Sequence, residues 1–429
     1  MTLQRTPISL LAIVVCIAFL SIHAFADYPF HENPDELVVT RGDTVLRKLP
    51  CERVVLDGGE GRWRSTGEYA YIRGQVGRTS DGTLYTWVGG AWGAYYIAES
   101  ARNVMFASED EGRTWPKQWN VDLPKKRMIG NFLVLSDDSF LASATEPGDD
   151  RVSFYRSTDR GLTWNEISQL KPGPFQKMYL DGNMLELQGG MILLPVIYSV
   201  PAPEGTDWKL DLGLQFMMRS TDRGKTWHNG PDPAVWKPLI DAKLTVAPVG
   251  PRSRIPGGTF PGCFETGLAQ EQSGRLLAAL RFSGAPWPWH ESMKEAWGGR
   301  EADGVGRIFR QVMFSTSTDG GLNWEMMRPF ADADGESVII QQETNGQLLP
   351  LPDGRIVLIH QRRFGPFQLI GRVSPDGGKT WLHDEFRLMA GFGYSGNLLL
   401  DDGTVVTACG HSLDGKHRAM VMRWRVPSK

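Results

Sequence analysis

The octapeptide Ser108-Glu109-Asp110-Glu111-Gly112-Arg113-Thr114-Trp115 has four further counterparts in the chain, Ser157 to Trp164, Ser220 to Trp227, Ser317 to Trp324 and Ser374 to Trp381. All five fit S-x-D-x-G-x-[TN]-W. The pattern describes a tight hairpin in which Asp accepts hydrogen bonds from the turn, Gly supplies positive φ, Thr bonds locally and Trp packs on the turn. A calcium loop is the competing reading of the Ser108 copy, but the EF-hand's acidic ligand positions and closing Glu are missing, so no metal is expected.

Working outward, a second unit recurs: a polar turn followed by an apolar strand. Its six copies are marked by Gly82, Asp138, Gly190, Gly274, Gly354 and Gly403. The steps between markers are 56, 52, 84, 80 and 49 residues, each long enough for four short strands and their loops. All but the last copy are followed by one octapeptide hairpin. Sheets repeated at this period without long helical patterns predict an all-β, six-bladed propeller of four-stranded antiparallel sheets. Apolar runs around Val196-Ile197, Leu276–Leu280 and Ile356–Ile359 read as its inner strands, buried on both faces. The stretch from Pro286 to Asp303 interrupts the period and reads as an inserted loop, with a short helix at Ser292 to Trp297.

Composition agrees. Among 429 residues, 49 Gly and 27 Pro disfavour a helix bundle, and 46 Lys+Arg against 49 Asp+Glu leave no basic field to gather nucleic acid or anionic lipid. An anionic ligand would have to be held by a local arginine cluster. Arg5, the apolar run from Ile8 to Phe25 and Ala24-Phe25-Ala26 read as a signal peptide over residues 1–26. The expectation is therefore a secreted or periplasmic protein cleaved near Ala26, without a membrane span in the mature chain. Residues 27–55 read as an extension with an edge strand through Leu37-Val38-Val39, and 56–429 as the propeller. Cys51, Cys263 and Cys409 form no C-x-x-C pair; they read as buried small hydrophobes, with at most one bridge among them.

A propeller does not name a function. Two stretches narrow the reading. Glu265 to Arg281 has a glutamate ahead of a Ser-Gly turn and an arginine 16 residues later, and Tyr394-Ser395-Gly396-Asn397-Leu398-Leu399-Leu400-Asp401-Asp402-Gly403 places a tyrosine before the last turn. With the five hairpins, these stretches resemble the sialidase (neuraminidase) superfamily, over nearly the whole mature chain. The resemblance implies Tyr394 as nucleophile and Glu265 as its base. A neutral phenol is not repelled by the carboxylate that sialic acid carries on its anomeric carbon, but a pKa near ~10 demands a base. The family's aspartate acid has no counterpart between Gly82 and Ser108, where Glu99 is the only acidic residue and takes that role.

The resemblance further implies three arginines gripping the substrate carboxylate by bidentate bonds. Arg281 is the first. Arg73 stands one position off the family's pattern, and Arg363 or Arg362 supplies the third. Arg254-Ile255-Pro256 reads as a decoy, Glu186 as a second strand-end carboxylate, and Trp287 and Trp289 as sugar-stacking or loop-anchoring rings. No cofactor is implied, and nothing in the sequence speaks to oligomeric state. The expected function is an exo-glycoside hydrolase removing a terminal acidic sugar from a glycan. The alternatives are another carbohydrate-active enzyme, a lyase or hydrolase for uronate glycans, and a non-catalytic glycan- or protein-binding propeller.

Overall fold

All six polar turns reverse the chain in one way. Gly82, Asp138, Gly190, Gly274, Gly354 and Gly403 have φ between 62° and 87°, and each donates its N–H to the carbonyl three residues back. Glycine adopts this conformation freely and Asp tolerates it, which is why the two alternate at the marker position. The computed structural model describes residues 38–41, 44–56, 75–88, 103–124, 128–145, 151–175, 177–180, 182–200, 212–234, 237, 260–261, 263–284, 309–339, 343–362, 368–390, 394–413 and 416–427.

The turns and hairpins organise six antiparallel sheets into an all-β, six-bladed propeller. Blade I comprises Val76–Arg78, Leu84–Val88, Asn103–Ser108 and Lys117–Val121; blade II comprises Met128–Val134, Phe140–Thr145, Val152–Ser157 and Asn165–Leu170. Blade III has Lys177–Tyr179 and Leu185–Glu186 on one edge, then Ile192–Val200, Leu212–Ser220 and Phe260–Pro261. Blade IV comprises Cys263–Gln270, Leu276–Gly284, Phe309–Ser317 and Arg328–Pro329; blade V comprises Glu343–Pro350, Ile356–Arg362, Gln368–Ser374 and Glu385–Ala390. Blade VI takes Ser395–Leu399, Thr404–Leu413 and Lys416–Arg425 from the end of the chain and Glu52–Leu56 from its beginning.

That last pairing moves one expected boundary. Residues 52–55 are part of the ring, because Lys416–Arg425 would otherwise present an unpaired edge, and Glu52–Leu56 covers it with Ala419 opposite Leu56. Val38–Arg41 is an edge strand; it pairs with Thr44–Lys48, which runs parallel to Glu385–Ala390 of blade V. A second correction concerns the apolar runs. Ile192–Val200, Leu276–Gly284 and Ile356–Arg362 are second from the axis, not innermost. They are apolar because neighbouring blades cover both their faces, whereas the strands on the axis face a cavity.

The octapeptide hairpins share one set of bonds. The Asp carboxylate accepts the N–H of Thr114, Thr163, Thr226, Asn323 or Thr380, and the Ser hydroxyl accepts the N–H of the turn glycine. Burial works against these carboxylates, but the hydrogen bonds outweigh it and hold all five carboxyls below their ordinary range. The indoles of Trp115, Trp164 and Trp324 donate to the turn glycine's carbonyl. Those of Trp227 and Trp381 find no partner, and the Trp381 ring instead packs on Phe314 and Phe330. At Gly378 a Cβ would stand 2.9 Å from Phe314 of blade IV, so the glycine is needed for close approach as well as for its φ of 84°.

A blade's first and third strands run the same way, so turns and hairpins share one end of the propeller. There they interlock: Arg160 of blade II pairs with Asp81 of blade I at 2.7 Å, and Ser136 of blade II donates its N–H to Glu186 of blade III at 2.6 Å. The opposite end, where first strands begin and second strands finish, is left to the site. No helix among the described residues is long and apolar enough to cross a membrane. Cys263 and Cys409 are buried, and Cys51 is half-buried with its thiol 3.3 Å from the Leu49 carbonyl.

Candidate active site

Glu265 owes its position to a β-bulge. Cys263 lies opposite Phe282 and Thr266 opposite Leu280, so Phe264 and Glu265 together face Arg281 alone. The extra residue brings the Glu265 carboxylate beside the Arg281 guanidinium, whose Nη1 donates to Oε1 at 2.5 Å. The same oxygen accepts the Tyr394 hydroxyl at 2.6 Å, across 129 residues of sequence. Glu265 and Arg281 are each only 7% exposed. The structure therefore brings three residues singled out from the sequence to one oxygen atom: a carboxylate, a phenol able to give it a proton, and a cation that complements its charge.

Glu265 and Tyr394 face a cavity of about 480 Å³ on the propeller axis, a size suited to a small ligand, and Arg281 stands behind them, bonded to Glu265. Its wall includes Glu265 and Tyr394 and an amide from most of the other blades, among them Gln75, Asn131, Asn183 and Asn345. Sequence reasoning missed these amides. Several tie blade to blade: Asn183 of blade III accepts the N–H of Leu268 at 2.7 Å and donates to its carbonyl at 3.1 Å, and Gln75 of blade I donates to Asn131 of blade II at 3.0 Å. The signal was present as Gly130-Asn131, Gly182-Asn183 and Gly396-Asn397, a glycine and an amide just ahead of a turn.

Arg362 lies elsewhere. Its guanidinium donates to Glu343 at 2.9 Å and to Glu385 at 2.6 Å, with Arg372 and His360 packed against the same carboxylates. This network is buried in blade V, on the face turned to blade IV, so the sequence expectation that Arg362 grips a ligand is corrected: its donors are committed to protein carboxylates. Glu186 likewise takes up a structural position, accepting Ser136 from the neighbouring blade. Arg73, Glu99 and Arg363 lie outside the described residues, as do Arg254, Trp287, Trp289 and the expected helix at 292–297.

No family model matches the sequence, and no curated relative does. Solved structures match the fold. A protein of unknown function from Dyadobacter fermentans DSM 18053 has a TM-score of 0.58 at 17% identity over 88% of this chain and 98% of its own. The K499G mutant of NanB sialidase from Streptococcus pneumoniae has a TM-score of 0.55 at 11% identity, over 87% of this chain and 70% of its own. Trypanosoma rangeli sialidase, in a complex described as a covalent intermediate with 2,3-difluorosialic acid, has a TM-score of 0.51 at 12% identity over 88% of this chain. The match spans 59% of the trypanosomal enzyme's length. The chain thus has a sialidase-like propeller fold.

Proposed function

We propose that this protein is an exported exo-glycoside hydrolase that removes a terminal acidic sugar, sialic acid or a related nonulosonic acid, from a glycan. The observation that carries the reading is the Tyr394 hydroxyl bonded to Glu265 Oε1 at 2.6 Å at the wall of the axial cavity. The chemistry follows from that pair. Tyr394 Oη attacks the anomeric carbon as its proton passes to Glu265, and the bond to the leaving oxygen breaks. The leaving oxygen takes a proton from an acid, a role we assign to Glu99. Water then attacks the anomeric carbon of the glycosyl-tyrosine and gives a proton to the Glu99 carboxylate; the bond to Tyr394 Oη breaks, and Glu265 returns its proton to the phenolate. Arg281, with Arg73 and Arg363, would hold the substrate carboxylate.

The fold likeness to two sialidases supports this choice of sugar among acidic glycans. The test is to offer the purified chain aryl glycosides of sialic acid, of other nonulosonic acids and of uronic acids. Release of the aryl group from the first two is expected. Unsaturated product from uronate glycans would point to the lyase alternative, and binding without turnover of any glycoside to a binding propeller.

A further inference from the structure

We propose that Gln215 and Thr266 are positioning residues that hold Glu265 against Tyr394; the proposal rests on the reading above, in which Glu265 is the tyrosine's base. The bulge that brings Glu265 to Arg281 carries a penalty: a bulged residue leaves the ladder, so its backbone groups need other partners. The partner comes from another blade. Gln215, in strand Leu212–Ser220 of blade III, donates Nε2–H to the Phe264 carbonyl at 2.6 Å. Its Oε1 accepts the Thr266 hydroxyl at 2.5 Å, and that hydroxyl also lies 3.2 Å from the Phe264 carbonyl. One amide therefore grips the residues on both sides of Glu265.

The same strand seats the bulge in a second way. A Cβ at Gly213 would lie 2.9 Å from the tip of the Phe264 ring and 3.2 Å from the Cys263 carbonyl, so the ring rests where a glycine leaves room. With Phe264 turned toward blade III, the next side chain, Glu265, is turned toward Arg281 and Tyr394. Gln215 has no exposed surface and Thr266 is 1% exposed. A buried amide is expensive where an apolar side chain of the same length would pack, and both ends of this one are used on the segment that carries Glu265. Neither residue lines the axial cavity, so their effect on chemistry passes through Glu265.

The test uses near-isosteric changes in the full chain. Gln215→Met removes both bonds at similar length, Thr266→Val removes the hydroxyl, and Thr266→Ser keeps it. Misplacing a proton acceptor by a fraction of an ångström should lower kcat about 10- to 100-fold, with a smaller rise in KM, because Arg281 keeps its strand position while the base it bonds shifts. Q215M and T266V should show this split, and T266S should restore the parent kcat. Parent kcat in Q215M, or T266S as impaired as T266V, would overturn the proposal. A second arm needs no turnover: with ¹³Cζ-tyrosine, the Tyr394 resonance, assigned by its loss in Y394F, should shift in Q215M and stay in place in T266S. An unmoved resonance in Q215M refutes the positioning role. If no glycoside is hydrolysed by the parent, the functional reading fails, and the resonance alone decides whether Gln215 sets the geometry of the pair.

Discussion

Two arginine–glutamate clusters stand in the same inter-blade seam, and they differ in what their charges face. In one, Arg281 of blade IV reaches Glu265, whose oxygen also takes the Tyr394 hydroxyl, at the wall of the axial cavity. In the other, Arg362 and Arg372 of blade V bracket Glu385, Glu343 bonds Arg362, and neutral His360 lies 3.8 Å from Glu343 with no hydrogen-bond partner for either ring nitrogen. Both clusters are buried and both use an arginine near the end of a second strand. The first contains a phenol at the cavity wall whose proton is directed at a carboxylate. The second is closed, charge against charge. Burial of an arginine is therefore no guide to function until its partners are known.

The largest difference should come from the phenol. Tyr394→Phe removes the oxygen to which we assign the attack, with little change in volume, so turnover should fall by about 10³-fold or more while thermal unfolding stays near that of the parent. Steady-state kinetics beside a melting curve would check it. Full activity in Y394F would mean that the open cluster is as structural as the closed one.

Arg362→Met should reverse the pattern. It leaves two buried carboxylates, Glu343 and Glu385, to share the charge of Arg372, a change that costs up to about 3–5 kcal/mol. Denaturant unfolding should show that loss, while KM of the folded fraction is unaltered. A stable R362M protein with a raised KM would instead move Arg362 into the substrate site.

His360 supplies a smaller, pH-dependent effect. Burial, aided by the charges of Arg372 and Arg362, holds its pKa well below the ordinary value. The unfolded chain takes up a proton below about pH 6.5 that the folded chain refuses, so stability falls with pH by up to about 1.4 kcal/mol per unit. His360→Leu removes that linkage, placing at this position the residue type of its blade IV counterpart, Leu280. Melting curves from pH 7 to 5 should show the variant gaining on the parent as pH falls. Parallel curves would contradict the account of a neutral, enclosed histidine.

The smallest effect belongs to the turn end. At Asp222 burial raises the carboxyl pKa, but bonds from Thr226 and Ser220 outweigh it and hold it at about 2. Its contribution is present above about pH 4 and is lost as pH falls toward 2. Because the carboxylate is exposed, solvent screening limits the effect to at most about 1 kcal/mol. In Asp222→Asn, acid unfolding between pH 4 and 2 should be shallower than in the parent by that amount.

The repeated end of the molecule was legible because its bonds close within eight residues. A Ser, an Asp, a Gly and a Thr at fixed spacing carry the whole hairpin, and a Gly or Asp carries each turn. The ring closure was not, since Glu52–Leu56 meets its partner strand only across the length of the chain. Phe260–Pro261, the two-residue fourth strand of blade III, has no local pattern. The resemblance singled out Glu265, Arg281 and Tyr394, which the fold brings to one oxygen atom, but it also offered Arg362, beside Arg363, as a ligand-binding arginine. One residue along a strand decides which face a side chain takes, and Arg362 faces Glu343 and Glu385 where Arg281 faces Glu265. The bulge at Phe264–Glu265 and the Gln215 amide that supports it have no signature in a single strand, because the partner comes from another blade.

Covalent trapping asks whether Tyr394 is the group that bonds to the sugar. The purified protein, incubated with a 2,3-difluoro sialic acid, is digested and its peptides are weighed. Accumulation of a glycosyl adduct on Tyr394, absent in Y394F, is the predicted result. Hydrolysis of sialosides without any adduct, or an adduct on another residue, would contradict the assignment of Tyr394 as the group that Glu265 activates.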